Sequence, residues 1–297
     1  MGAARGKDEW GRSVSVAAIG PRPPAVGAEP LAGDRLRVEA IRKTFEGPGS
    51  SAIEAIANVS LEVEPGEFLA IVGPSGCGKS TLLQAIAGLL LPSAGRVVLG
   101  GRDVTGEPAH MVYLFQQYSK SLLPWMTVAE NVMFAFRHRA KVKKAEALRR
   151  CQEYLGMVGL ADVGLHYPWQ LSGGMQQRVA IARALAAEPK VLLMDEPFSS
   201  VDALTRLDLQ SLILSLWTEK RFTAVLVTHD VDEAIFLADR VAVLTHRPAT
   251  VAEVIATDLP RPRRSIETRE SAAFLALRHR LLEYLLARPG VVDATPQ

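Results

Sequence analysis

A chain of 297 residues, 48% hydrophobic, can bury one large core or two modest ones, and 34 basic against 32 acidic side chains leave a formal net charge of +2, too near balance to imply a nucleic-acid partner or a strongly anionic surface. Two cysteines, Cys77 and Cys151, have neither zinc-ligand spacing nor a disulfide framework, which suits a reducing compartment. Apolar runs such as Ala85 to Leu91 fall short of the roughly 20 residues that cross a bilayer, and residues 1–33 lack an apolar signal core and read as a flexible tail.

From Leu36 onward Leu36, Val38 and Ala40 alternate with Arg37 and Glu39, and Val59, Leu61 and Val63 alternate with Ser60 and Glu62. Both are half-exposed antiparallel strands by their period. Pro65-Gly66 then turns the chain into Phe68–Val72, a continuous apolar run of the kind that forms a buried parallel strand. Directly after it come Gly73, Pro74, Ser75, Gly76, Cys77, Gly78, Lys79 and Ser80, a complete G-x-x-x-x-G-K-S/T run. Glycines let backbone N–H groups turn toward phosphate oxygens, Lys79 reaches the β and γ phosphates, and the Ser80 hydroxyl can ligate Mg2+. The helix that must follow is present: Leu82, Leu83, Ile86 and Leu90 share one face, and Pro92 lies past its end.

Met111–Phe115 is the next apolar strand, and it ends at Gln116, a neutral side chain able to bridge Mg2+ and an attacking water; Gln117 competes for that assignment. Beyond it Leu122, Leu123, Trp125 and Met126 are too apolar for an ordinary loop and suit either a partner's helix or packing within the subdomain. From Thr127 to Gly159 the spacing is helical, with a basic stretch from Arg137 to Arg150 that fits a solvated face better than a lipid contact. This block leads to Leu171-Ser172-Gly173-Gly174-Met175-Gln176-Gln177-Arg178, a small-residue turn before a helix. Locally the turn serves equally as an anion site or as a plain serine N-cap. Since the first glycine loop already serves one face of a nucleotide, the second points to use across an interface.

Val191–Met194 is an apolar strand ending in Asp195-Glu196, and strand alternation points the two carboxylates in opposite directions. Asp195 then holds Mg2+, and Glu196 polarises the water that attacks the γ-phosphate. His229 follows Ala224–Thr228 at the carboxyl edge of another strand, where ligands of open α/β sheets bind; it can contact the γ-phosphate or merely lead into a cap at Asp230. Strands alternating with helices predict a doubly wound, mostly parallel sheet. Arg261-Pro262-Arg263-Arg264 reads as a linker, and Phe274, Leu277, Leu281 and Leu285 stripe a terminal amphipathic helix.

Taken together, Gly73 to Thr81, Gln116, Leu171 to Gln176, Val191 to Glu196, Ser200-Val201-Asp202 and His229, in that order, resemble the ATP-binding cassette of ABC transporters over roughly Leu36 to Leu244. Met175 and Ser200-Val201 depart from the residues usual at those places, without removing a catalytic group. The resemblance implies a P-loop NTPase fold with a mostly parallel central sheet, an antiparallel β subdomain and an inserted helical subdomain at about 118–172. The cassette is expected over 34–250, after the 1–33 tail and before an extension over 251–297. It implies ATP and Mg2+ as ligands, and a head-to-tail homodimer in which each ATP lies between Gly73–Thr81 of one chain and Ser172, Gly173 and Gly174 of the other. Asp202 then communicates between the sites, and Phe45 stacks on adenine. Leu122–Asn131 and Tyr167–Arg178 are similar to the importer branch for nitrate, sulfonate and taurine. That implies permease subunits, an indirect periplasmic or lipoprotein solute-binding protein, no nucleic acid, and a peripheral place on the cytoplasmic face of the membrane. A P-loop kinase or GTPase needs no second glycine turn, and a guanine-reading N-K-x-D is absent. A non-transport ATPase of the same class and a regulatory nucleotide-binding module are the remaining alternatives.

Overall fold

The computed structural model describes residues 34–46, 52–108, 110–117, 121–137 and 143–286, together with two short strands near the start. Residues 1–32 and 33–297 form separate units. In the first, β1 (Gly6–Lys7) pairs antiparallel with β2 (Ser13–Val14); the rest of the expected tail lies outside the described residues.

The second unit is built on β3 (Leu36–Glu46), β4 (Ala52–Val63), β5 (Phe68–Val72), β6 (Ala94–Leu99), β7 (Arg102–Asp103), β8 (Met111–Leu114), β9 (Val191–Asp195), β10 (Thr223–Val227), β11 (Arg240–Leu244) and β12 (Ala249–Ala256). They form one sheet in the order β7-β6-β3-β4-β12-β11-β5-β10-β9-β8. Strands β11, β5, β10, β9 and β8 run parallel, as their unbroken apolar runs predict, and β3 pairs antiparallel with β4 and β6. Strand β12 runs across residue 250, where the extension was expected to begin, and pairs with both β11 and β4.

The β3–β4 pairing sets Leu36 against Val63 and Val38 against Leu61. The expected alternation breaks at Ala40, which is exposed with φ of 50°, while Ile41 is buried opposite Val59. One extra residue of β3 is accommodated there, a β-bulge that breaks the alternation of side chains at that point.

Helix α1 (Lys79–Ile86) covers one face of the parallel strands; Leu69 and Ile71 of β5 share its apolar cluster with Leu82 and Leu83. Phe68, Ala70 and Val72 point to the other face. There lie α2 (Val128–Arg137), α3 (Lys144–Met157), α4 (Gly173–Ala186), α5 (Ala203–Lys220) and α6 (Val231–Leu237). The stretch with helical spacing from Thr127 to Gly159 contains two helices, α2 and α3, held to α4 by Val132, Cys151, Leu155 and Val179. The basic stretch is solvated where described: Arg149 and Arg150 pair with Glu146, and Lys141 lies outside the described residues.

The extension adds α7 (Ser265–Glu270) and α8 (Ala272–Leu286), whose Phe274 and Leu281 are buried against the main core as the stripe predicts. The stretch read as a linker is packed. Arg263, 7% exposed, donates to the carbonyls of Ile235, Phe236 and Ala238, and Arg261 donates to Leu237 O and Asp239 over the face of Trp217. Those carbonyls lie at and just past the end of α6, where cations satisfy acceptors that the helix leaves unpaired.

Candidate functional site

Parallel register fixes where the chemistry collects. Ile71 pairs with Val227, Val227 with Asp195, and Met194 with Leu114, so β5, β8, β9 and β10 all end at one sheet edge. Gly73, Gln116, Glu196 and His229 begin their loops there, the place where open α/β sheets bind ligands.

Gly73 to Gly78 wraps the start of α1. Gly76 has φ of 71° and Gly78 of 115°, and a Cβ on Gly78 would lie 3.1 Å from the carbonyl oxygen of Ala55. Glycine is required at Gly78 by conformation and by the closeness of β4. The loop's amides are thereby left to the helix start, with no acidic residue in the first turn of α1 to compete for them. Lys79, 6% exposed, donates to the carbonyls of Gly73 and Pro74 at 2.8 and 3.0 Å, which holds its ammonium along the loop. Cys77 is buried, and its thiol pKa is pushed up by that burial; the side chain packs rather than reacts.

Ser80 Oγ donates to Asp195 Oδ1 at 2.9 Å, and the Tyr113 hydroxyl donates to Asp195 Oδ2 at 2.8 Å. Burial pushes the Asp195 carboxyl up and the two hydroxyls pull it down. Burial, then the adjacent Asp195 charge, holds the Tyr113 hydroxyl well above the usual phenol range, so it stays a donor. A serine hydroxyl beside a buried carboxylate is an all-oxygen donor set, which suits a hard ion such as Mg2+. Gln116 is placed elsewhere, against Glu196. Its Nε2 donates to Glu196 Oε2 at 3.1 Å, while His229 Nδ1 lies 3.2 Å from the same oxygen.

Glu196 does not take its direction from strand alternation, as the sequence suggested. It lies one residue past β9 with φ of 43°, its amide donating to Val227 O at 2.9 Å. A left-handed turn at a non-glycine residue is strained, and such strain clusters at functional sites. Here it sets the carboxylate between Gln116 and His229.

Ser172 caps α4 through an Oγ that accepts from Met175 N at 3.3 Å, so the serine-cap reading is realised. A Cβ on Gly174 would meet the Thr205 methyl at 2.6 Å, which places the turn against the first turn of α5. The N-cap of α5 is Asp202, whose Oδ1 accepts from Thr205 N at 3.0 Å; that backbone donor holds its pKa low. Ser172, Gly173, Gly174 and Asp202 therefore form one neighbourhood. Among the described residues no hydrogen bond joins it to Gly73–Ser80 of the same chain.

Phe45 is 40% exposed near the tip of the β3–β4 pair, opposite Ile53, with the Lys43 ammonium 5.1 Å from its ring centre. It lies on the same strand pair whose Ala55 backs Gly78. Sequence reasoning missed Tyr113. Its only signal was an aromatic hydroxyl on the strand beside β9, in register with Leu193, two residues before Asp195.

A cavity of about 650 Å³ opens between the β8 edge and the helical subdomain, lined by Val112, Tyr113, Phe115, Gln117, Leu123 and Arg183 among others. Leu122 is buried nearby, whereas Trp125 is 70% exposed. No helix among the described residues is long and apolar enough to cross a membrane.

Comparison with known proteins places this arrangement. Residues 56–199 match the family model for the ABC transporter. An uncharacterized ABC transporter ATP-binding protein of Methanocaldococcus jannaschii is 47% identical over 84% of this chain and 91% of its own length. The aliphatic sulfonates import ATP-binding protein SsuB of Bacillus licheniformis is 42% identical over 84% of this chain and 93% of its own. The nitrate import ATP-binding protein NrtC of Synechococcus elongatus is 44% identical, and the chain spans 38% of its length. Among solved structures, the ATP-binding cassette MJ0796, a dimer in a post-hydrolysis state bound to ADP and Pi, is 34% identical over 74% of this chain and 98% of that one, with a TM-score of 0.65. This chain belongs to the ATP-binding subunits of ABC transporters: it is an ATPase of the kind coupled to transport, related to importer subunits.

Proposed function

We propose that two copies of this chain close head to tail around two ATP molecules and power an importer for a small anion such as nitrate, a sulfonate or taurine. The observation that carries the dimer reading is the separation of two phosphate-type turns, Gly73–Thr81 and Ser172–Gly174, within a chain whose solved relatives form dimers. The import reading rests on the relatives named for nitrate and sulfonates.

Within one composite site Gly73 to Thr81 cradle the phosphates through backbone N–H groups, Lys79 counters their charge, and Phe45 offers an exposed ring to the base. Ser80 and Asp195, with Gln116 as a further neutral oxygen donor, would hold Mg2+, and the bound ion would supply neutralisation of the charge that develops on the phosphates. Glu196 accepts a proton from the attacking water, and Gln116 and His229 orient its carboxylate; His229 also offers a donor to the γ-phosphate. The partner's Ser172–Gly174 amides close the site, and Asp202 beside them reports to the second one. Positioning and electrostatics supply most of the rate.

The cavity at the β8 edge, together with Leu123 and the exposed Trp125, is the surface proposed for a membrane subunit, putting this chain at the cytoplasmic face of the membrane. The cassette over 34–250, with a helical part at about 118–172, would be the engine, and the solute would be met by other subunits. The deciding experiment is Glu196→Gln: it should bind ATP normally, accumulate as a dimer and lose turnover by about a thousandfold. Unchanged hydrolysis would overturn the assignment of Glu196.

A further inference from the structure

The described part of the C-terminal extension, residues 251–286, contributes none of the site residues above, yet its packing ends on the two helices that begin beside Asp202 and His229. Arg269 of α7 sits with its guanidinium carbon 4.5 Å from the ring centre of Phe236 and 5.9 Å from that of Phe274. It donates to Gln210 Oε1 at 2.6 Å. Gln210, 1% exposed on α5, donates in turn through Nε2 to Glu233 Oε2 on α6 at 3.2 Å.

Glu233 is itself 3% exposed and tied to both neighbours of His229. Its amide donates to Asp230 Oδ1 at 3.1 Å, its carboxyl is hydrogen-bonded to the Thr228 side chain, and the Asp230 amide donates to Thr228 Oγ1 at 3.0 Å. On α5, Arg206 lies 3.8 Å from Asp230 Oδ2 and donates to Val201 O, next to Asp202.

The order of donors makes this a directed chain. An arginine can only donate, so it fixes the Gln210 amide with its oxygen toward Arg269 and its NH2 toward Glu233. Without that cation the amide is free to turn, and a buried carboxyl loses a donor it cannot replace from water. The relaxation nearest to hand is a shift at the start of α6, which His229 precedes by two residues.

We propose that Arg269, acting through Gln210 and Glu233, is a positioning residue that holds the His229 turn in its hydrolytic geometry, making the C-terminal extension a strut for the ATPase site. The proposal rests on His229 serving the γ-phosphate, as read above. A small misplacement of a group at the reacting centre costs rate far more than it costs substrate binding.

The test uses the full-length protein, with ATP affinity and turnover measured separately well below each variant's unfolding temperature. Arg269→Met keeps the apolar packing on Phe236 and Phe274 but removes the donor; kcat should fall about tenfold with ATP affinity within about twofold of the parent. Gln210→Met should give the same split, and the double variant should be no slower than the slower single one, because both break one chain of contacts. Arg278→Ala, which removes the exposed 3.0 Å pair to Asp232 between α8 and α6, should leave kcat unchanged. Normal kcat in folded Arg269→Met, or additive losses in the double variant, would overturn the proposal. Should Arg269→Met not fold, Gln210→Met alone decides on the same split. His229→Ala separates the premise: normal turnover there sinks the reading of His229, whereas its loss beside a normal Arg269→Met sinks only the strut.

Discussion

Asp195 is held by two hydroxyls, and only one of them was visible in the sequence. Ser80 belongs to a run whose spacing is itself the signal, because the loop, the lysine and the hydroxyl must follow one another along the chain. Tyr113 reaches the same carboxylate from a strand 82 residues away, a closeness that exists only once β8 lies beside β9. Tyr113→Phe removes one hydrogen bond to the buried carboxyl and leaves the phosphate loop intact. Partners of metal-binding groups commonly account for 10- to 100-fold in metal affinity. Half-saturation by Mg2+ should therefore rise about tenfold, and Mn2+ bound with ATP to a Glu196→Gln background, read by electron spin resonance, should weaken in parallel. ATP affinity without metal should not move. Unaltered Mn2+ binding would show that Ser80 alone suffices to hold Asp195. Glu196 teaches the same lesson in another form: the residue was legible, while its direction was not, because a left-handed φ past β9 overrides alternation.

At the scale of elements, strands and helices were legible wherever burial imposes a period, as in β5, β9, β10 and the α8 stripe. Two places escaped. The bulge at Ala40 arises from a mismatch with β4, which no local pattern records, and the Arg261–Arg264 segment looked like a polar connector because its partners are carbonyls at the end of α6. Helices α5, α6 and α7 meet at Glu233, whose pKa burial pushes up to about 8, with the Asp230 charge adding to the rise and Thr228, Gln210 and Arg206 opposing it. Asp232 and Arg269 face the same cluster. The folded protein thus keeps a proton on Glu233 between the ordinary glutamate value of 4.5 and about 8, whereas the unfolded chain has released it. Stability from this group is full below 4.5 and declines as pH rises toward 8, since the unfolded state then binds fewer protons. Glu233→Gln should flatten that decline. Urea unfolding of both proteins at about pH 6 and about pH 8 measures it, and equal slopes of stability against pH would refute a raised Glu233 pKa.

For the whole molecule, the central question is whether one chain ever completes a site. Gly174 lies against Thr205, whose amide Asp202 caps, and among the described residues neither Ser172 nor Gly174 makes a hydrogen bond to Gly73–Ser80. A site completed in trans makes a demand that a site completed within one chain does not. Ser172→Ala should leave ATP affinity of the isolated chain unchanged and stop turnover, and Lys79→Ala should weaken ATP binding. When the two inactive variants are mixed, half of randomly paired dimers are mixed, and each holds one site with an intact Lys79 from one chain and an intact Ser172 from the other. A head-to-tail pair therefore predicts recovery of about a quarter of the parent's sites. Labelled ATP that resists a chase of unlabelled ATP, which requires a site closed by an intact partner Ser172, counts those sites even where hydrolysis requires both to be whole. A site built within a single chain predicts none, because every chain in the mixture would carry its own defect. Recovery of retained nucleotide on mixing is thus the outcome expected here, and its absence would remove the dimer from the mechanism.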